Sequence, residues 1–157
     1  CQQPVTANFA PYLLERAQMY MNNDQARNAM LDYDAYYKAV NGQVNDLFYY
    51  YREQAALKAR QYQRALDDIV KAIELSPKDL TYRAEHAVVN LRVGRYEESM
   101  KILNEILKDE PKYGEAYRLL GLCQIQLKKT DEACGNFNKA KELGDPNVDE
   151  LIKKYCK

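Results

Sequence analysis

Tyr62-Gln63-Arg64-Ala65-Leu66, continued by Ile69, Ala72 and Leu75 and closed by Pro77, decides how this chain folds. The pattern returns as Tyr96-Glu97-Glu98-Ser99-Met100, then Leu103 and Ile106, closed by Pro111; the two prolines stand 34 positions apart. A third copy keeps the spacing: Asp131-Glu132-Ala133-Cys134, then Phe137, Ala140 and Leu143. Ala65, Ser99 and Ala133 are therefore equivalent, as are Ile69, Leu103 and Phe137, and Ala72, Ile106 and Ala140. A small residue recurs where two helices cross closely, and a large one four positions on fills the gap beside the crossing.

Each copy has an earlier half of the same kind. Tyr117, Leu120, Gly121 and Gln124 answer Arg83, His86, Ala87 and Asn90, so Gly121 and Ala87 set a small residue on the first helix opposite the small one on the second. Short turns at Arg60-Gln61, Gly94-Arg95 and Lys128-Lys129-Thr130 separate the halves. Gly94 suits the left-handed conformation that ends a helix. Pro77 and Pro111 stop the second helices.

Three units in phase at this period resemble the tetratricopeptide repeat, a helix-turn-helix unit of the same length. Tyr117, Leu120-Gly121, Ala133, Phe137 and Ala140 carry the likeness in the last unit, and Gly94 through Ser99 with Pro111 carry it in the unit before. Residues 10–45 read as a diverged first unit, with Ala17 and Ala29 at the small positions and Tyr33 and Tyr36 as fillers. Arg16 and Arg52 are 36 apart, so this unit holds about two extra residues, and Asn41-Gly42 replaces the closing proline with turn chemistry. The expected organisation is a tether at 1–9, units at 10–45, 46–79, 80–113 and 114–146, and an amphipathic capping helix at 147–157. The resemblance implies an all-α, right-handed superhelical solenoid whose last hydrophobic face the capping helix covers.

Composition narrows the function. The 157 residues hold 23 Lys+Arg against 23 Asp+Glu, a formal charge of zero, which disfavours nucleic acid as a partner. No apolar run approaches the ~18 residues that cross a bilayer, and the sequence shows no signal peptide. With His86 the single histidine, neither a Ser-His-Asp site nor a multi-histidine metal site can be assembled within the chain. No catalytic residues, metal or cofactor are expected. Tyrosine, by contrast, occurs 14 times against three Phe.

The resemblance also implies a concave wall built from the first helices, to which a peptide or partner subunit would bind. The inward positions map to Leu14, Gln18, Met21 and Asn22 in unit one and to Leu47, Tyr50, Gln54, Leu57 and Lys58 in unit two. Unit three supplies Thr81, Ala84, Val88, Leu91 and Arg92. Unit four supplies Glu115, Arg118, Leu122, Ile125 and Gln126. Tyr50, Gln54, Leu57, Lys58, Val88, Leu91, Arg92, Arg118, Leu122 and Ile125 are the expected contact residues. Apolar side chains would give affinity, and an Arg fork suits a carboxylate or C-terminus. The competing reading of Leu57, Leu91 and Leu122 is packing against neighbouring units. The cluster Tyr49-Tyr50-Tyr51, with Tyr33, Tyr36 and Tyr37, reads as an interface or, preferably, as filling between helices. His86, at a position usually taken by Leu, reads as core.

Cys134 and Cys156 lie symmetrically about a turn near Asp145, which favours a disulfide between them; Cys123–Cys134 is a second symmetric pairing, and separate buried thiols are a third reading. The segment from Ala133 to Cys156 resembles the ending of exported tetratricopeptide proteins of Gram-negative bacteria, which implies periplasm or outer membrane. Cys1 fits the lipid-bearing first residue of a mature lipoprotein, or else marks a boundary within a longer chain. The leading expectation is a non-enzymatic envelope scaffold. The alternatives are a structural lipoprotein subunit of an outer-membrane complex and, least favoured, a thiol enzyme using Cys123, whose apolar flanks Leu122 and Ile125 argue against it.

Overall fold

The computed structural model describes residues 10–157; the expected tether and Cys1 lie outside the described residues. Every regular element among the described residues is a helix: α1 (Ala10–Asn22), α2 (Ala26–Ala39), α3 (Asp46–Lys58), α4 (Tyr62–Leu75), α5 (Leu80–Arg92), α6 (Tyr96–Asp109), α7 (Gly114–Gln126), α8 (Thr130–Glu142) and α9 (Asp149–Tyr155). The chain divides into two compact units, Cys1–Pro77 and Lys78–Lys157.

One turn makes all four hairpins. Three residues join α1 to α2, α3 to α4, α5 to α6 and α7 to α8, and the middle one is always left-handed: Asp24 (φ 57°), Arg60 (59°), Gly94 (80°) and Lys128 (62°). In each, the next backbone N–H reaches back into the finished helix, as from Gln25 to the Tyr20 carbonyl and from Lys129 to that of Gln124. This bond caps carbonyls the helix end would leave bare. Only the third hairpin uses glycine there, so the turn geometry, not the residue, is what repeats.

In the Cys1–Pro77 unit the crossing residues Ala17, Ala29 and Ala65 are wholly buried, with Tyr33 and Ile69 beside them as fillers. The second hairpin departs from the pattern on its first helix. Where the others place Ala17, Ala87 and Gly121, it places Glu53, which is fully buried and accepts a 2.7 Å hydrogen bond from Gln54. Beside it, Arg16 of α1 forks onto Asp32 of α2 (2.7 and 2.6 Å), and Arg52 of α3 forks onto Asp68 of α4 (2.8 and 2.7 Å). Both aspartates are buried.

The Lys78–Lys157 unit is held by two apolar clusters. One joins Ala84, Ala87, Leu103, Ile106, Ala116 and Leu119 between α5, α6 and α7. The other joins Ala133, Phe137, Ala140 and Val148, covered by Leu151, Ile152 and Tyr155 of α9. Cys134 and Cys156 form a disulfide (Cα–Cα 5.6 Å) that ties α9 to α8. Size is matched across each crossing: Ala87 faces a region filled by Leu103, whereas Gly121 stands against the larger Phe137. A Cβ on Gly121 would meet the Phe137 ring, with Cδ1 at 2.6 Å, and that ring is fully buried. Gly121→Ala is expected to cost about 2 kcal/mol by overpacking, and Phe137→Leu in the same chain should recover part of it, because the pair then copies Ala87 and Leu103. Denaturant unfolding of the two single variants and the double checks this; strictly additive losses would contradict it.

Candidate functional site

The expected contact residues divide by unit. In the first, Tyr50, Gln54 and Leu57 are half-buried, and Lys58 is exposed at the end of α3. The Lys58 ammonium donates to Asp24 (2.7 Å) and to the Met21 carbonyl (3.4 Å), and this hydrogen bond draws the Asp24 carboxyl below its ordinary range. In the second, Val88, Leu91 and Leu122 are half-buried and pack against the α5–α6–α7 cluster, while Leu122 and Ile125 also lean on the Phe137 cluster. Arg92 is exposed. Arg118 directs Nε at Asp145 (3.2 and 3.0 Å) and a terminal nitrogen at Glu115 (2.9 Å), so its fork is engaged within the chain.

A cavity lies elsewhere, at the connection from α2 to α3. Residues 40–45 make this connection six residues long, against four at 76–79 and four at 110–113. Asn41 (φ 51°) and Gly42 (φ 73°) turn the chain left-handed in succession, and a Cβ on Gly42 would press on the Tyr37 hydroxyl at 3.0 Å. The longer connection bounds a cavity of about 760 Å³ with its residues Gln43, Val44 and Asn45. Leu14 and Gln18 of α1, Tyr33 and Tyr36 of α2, and Leu47, Phe48 and Tyr51 of α3 line the rest. Asn45 also starts α3, its side chain accepting from the Phe48 N–H at 3.0 Å.

Phe48 is the hub of the tyrosine cluster. Tyr33 meets it edge-on (5.8 Å, 85°), and Tyr36 and Tyr37 stack at 5.5 and 5.9 Å. Burial, with a smaller contribution from Tyr51, pushes the Tyr33 phenol up to about 12. The Arg52 guanidinium lies over Tyr37 (4.9 Å) and Phe48 (5.1 Å). The tyrosines thus both fill between helices and wall the cavity. Among the described residues, the exposed large apolar side chains are Tyr12, Met19, Leu31, Leu47, Tyr51, Val70 and Leu75; all precede Pro77, and Lys78–Lys157 carries none.

Sequence reasoning pointed at Leu14, Gln18 and Leu47 through the inward positions, and at Tyr51 through the tyrosine run. It missed Gln43, Val44 and Asn45, although the two surplus residues between Arg16 and Arg52 mark their place. It also missed Asp32 and Asp68, whose 36-residue spacing equals that of their arginine partners.

The Cys123 thiol is buried, its pKa raised by that burial, and it lies 3.4 Å from the Ser99 hydroxyl, which donates to the Ala87 carbonyl. A thiol held protonated is a poor nucleophile. Among the described residues no three His, Cys, Asp or Glu side chains group as metal ligands, and no helix is long and apolar enough to cross a membrane. Burial lowers the pKa of His86 below 6.5, with Glu98 opposing weakly. The unfolded chain therefore takes up the proton first as pH falls through 6.5, and stability drops there. His86→Leu should flatten that acid-side decline in thermal melts between pH 7 and 5; an unchanged slope would contradict the assignment.

A family model described as Anaphase-promoting complex, cyclosome, subunit 3 matches residues 22–106, and one described as Tetratricopeptide repeat matches residues 85–148. The chain belongs to the tetratricopeptide repeat family. Small glutamine-rich tetratricopeptide repeat-containing protein 2 of Mycosarcoma maydis is 30% identical over 99 residues, which are 63% of this chain and 28% of that protein. Heat shock protein STI1 of Saccharomyces cerevisiae is 32% identical over 101 residues, 62% of this chain and 17% of that protein. The chain thus spans less than a third of the length of these curated relatives. Among solved structures, YrrB, a TPR protein with an unusual peptide-binding site, superimposes with a TM-score of 0.75 at 18% identity, covering 92% of this chain and 74% of its own. A MamA protein does so at 0.71 and 21%, covering 96% and 78%. These likenesses establish a shared all-α tetratricopeptide fold.

One expectation is overturned. The periplasmic or outer-membrane placement rested on Cys1 and on the likeness of a single C-terminal segment. Relatives that align over about 100 residues are eukaryotic proteins, from Mycosarcoma maydis, Saccharomyces cerevisiae and Bos taurus, and not envelope proteins of Gram-negative bacteria. Cys1 lies outside the described residues.

Proposed function

We propose that this chain is a non-catalytic scaffold that holds a peptide or partner subunit on the first helices of its hairpins. In the Cys1–Pro77 unit the proposed contacts are Tyr50, Gln54, Leu57 and Lys58. In the Lys78–Lys157 unit they are Val88, Leu91, Arg92, Arg118, Leu122 and Ile125. One observation carries the reading for the Cys1–Pro77 unit: among the described residues the exposed large apolar side chains all fall before Pro77, Leu47 and Tyr51 of α3 among them. Exposed large apolar side chains are costly to leave in water, and their confinement to one unit favours that unit as the one a partner covers. Tyrosine, which offers large area at little entropy cost, is the residue interfaces favour.

Photo-crosslinking in the native host tests this. A photoreactive side chain at Leu47 or Tyr51 should trap one defined partner, whereas the same group at the exposed Lys101 or Lys108 of α6 should not. No adduct at any position, or the same adducts at all four, would overturn the reading.

A further inference from the structure

We propose that the cavity bounded by the 40–45 connection is an anchor pocket for an uncharged, bulky apolar side chain of a bound peptide, a leucine or an aromatic residue. This deepens the peptide-scaffold reading and rests on it.

The pocket sits where the chain departs from its repeat. The two surplus residues fall in the connection between α2 and α3, and that connection supplies one wall. The corresponding connections at 76–79 and 110–113 are two residues shorter. Its turn calls for a particular residue: Gly42 is left-handed and has little room for a side chain against Tyr37. A built loop of this kind holds a pocket open where a flexible one would collapse into it.

The lining determines the ligand class. None of its side chains is charged; it consists of aromatic and aliphatic groups together with the amides of Gln18, Gln43 and Asn45. Three cations carried by α1 and α3, the helices that supply Leu14, Gln18, Leu47, Phe48 and Tyr51, are engaged by the chain's own carboxylates: Arg16 by Asp32, Arg52 by Asp68 and Lys58 by Asp24. A carboxylate entering the cavity would give up its hydration with no lining cation to replace it. An apolar side chain would bury against Leu47, Phe48 and Tyr51 and leave the amides to meet a peptide backbone. A volume of about 760 Å³ admits one large side chain and its neighbours. Leu47 and Tyr51, both nearly half exposed, present the apolar surface at the mouth.

Two sets of capped twelve-residue peptides on a Ser/Gly/Asn background test this against the full chain. One set carries a central Leu, Phe or Tyr, and the other carries Asp or Glu there. The apolar set should shift amide resonances in α1, residues 40–45 and α3. Leu47→Glu should weaken that binding at least about tenfold, and Tyr51→Ala should weaken it less; Lys71→Ala, at an exposed position of α4 away from the cavity lining, should leave it within about twofold. Both Leu47 and Tyr51 are exposed, so these variants should fold, and an unchanged helical circular dichroism spectrum checks it. Acidic peptides binding as tightly as apolar ones would overturn the ligand class and leave the scaffold reading standing. Full affinity in Leu47→Glu, or no shift at the cavity from either set, would overturn the pocket. Only loss of the crosslinked partner as well would remove the scaffold.

Discussion

Arg52→Ala is expected to destabilise the Cys1–Pro77 unit by about 3–5 kcal/mol, because it strands a buried carboxylate. Arg52 reaches Asp68 through two hydrogen bonds of 2.8 and 2.7 Å, and only 12% and 6% of the two side chains is exposed. Asp34 stands 3.4 Å from the same guanidinium and is also held by Arg64. Burial pushes the Asp68 carboxyl above its ordinary 3.8, and the pull of Arg52 offsets this only in part. The pair is thus costly to break without being a large source of stability. Two further results follow. Arg52→Met with Asp68→Leu should lie within about 1 kcal/mol of the natural chain, since burying an apolar pair there removes the desolvation cost. The other unit already does without the clamp, placing His86 with Ile102 and Leu120 with Asn136 at those positions. The Arg52→Ala deficit should also shrink in acid. A carboxyl whose folded pKa is raised binds its proton sooner in the folded state, so folding gains as pH falls from neutral toward 3.8. Urea unfolding at pH 7 and pH 5, with hydrogen exchange to locate the loss, measures all three. An alanine variant as stable as its parent, or a deficit that grows in acid, would falsify this account.

The clamp shows where the sequence was legible and where it was not. The small and large positions of the crossings stand out because their sizes recur: Ala65, Ser99 and Ala133, then Ile69, Leu103 and Phe137, all sit fully buried. Turn geometry recurs without a residue signature. Asp24, Arg60 and Lys128 adopt the left-handed conformation that composition suggests only for Gly94, because the hairpin imposes it and each turn's backbone hydrogen bond holds it. Buried Asp32, Asp68 and Glu53 break the rule that charged residues stay outside. Hydropathy places them on the surface, and only pairing with Arg16 and Arg52 explains the two aspartates.

The site was harder to read for a related reason. Inward positions follow from a regular repeat, and there Val88, Leu91, Leu122 and Ile125 are half-buried, each with one side against the core clusters and part of its surface still open. The cavity opened where regularity fails, at residues 40–45. The surplus of two was visible as the Arg16–Arg52 spacing, but its consequence depends on where the backbone absorbs it. Compartment is poorly legible for a different reason: Cys1 and one short terminal likeness are few residues to set against relatives that align over about 100.

Loss of the Cys134–Cys156 disulfide is the second large effect expected. The crosslink spans a sequence separation of 22, so removing it should cost about 3 kcal/mol through the freedom returned to the unfolded chain. The loss should begin locally. α9 has seven residues and none of them is buried, a helix too short to persist on its own. It stays in place by laying Leu151, Ile152 and Tyr155 on the α8 cluster, where Tyr155 stacks on Phe137 at 6.4 Å, and by the bond at Cys156. With Cys134→Ser and Cys156→Ser together, the amides of α9 should lose protection from exchange before those of α7 and α8, and a hydrophobic dye should find the uncovered face of Phe137 and Ala140. Reduction of the natural chain should reproduce both effects, and reoxidation should reverse them. Cys123, buried between α6 and α7 and bonded to Ser99, should take no part, so Cys123→Ser leaves the difference between oxidised and reduced forms intact. Equal unfolding midpoints for the oxidised chain and the double serine variant, with α9 equally protected in both, would show that packing alone holds the last helix.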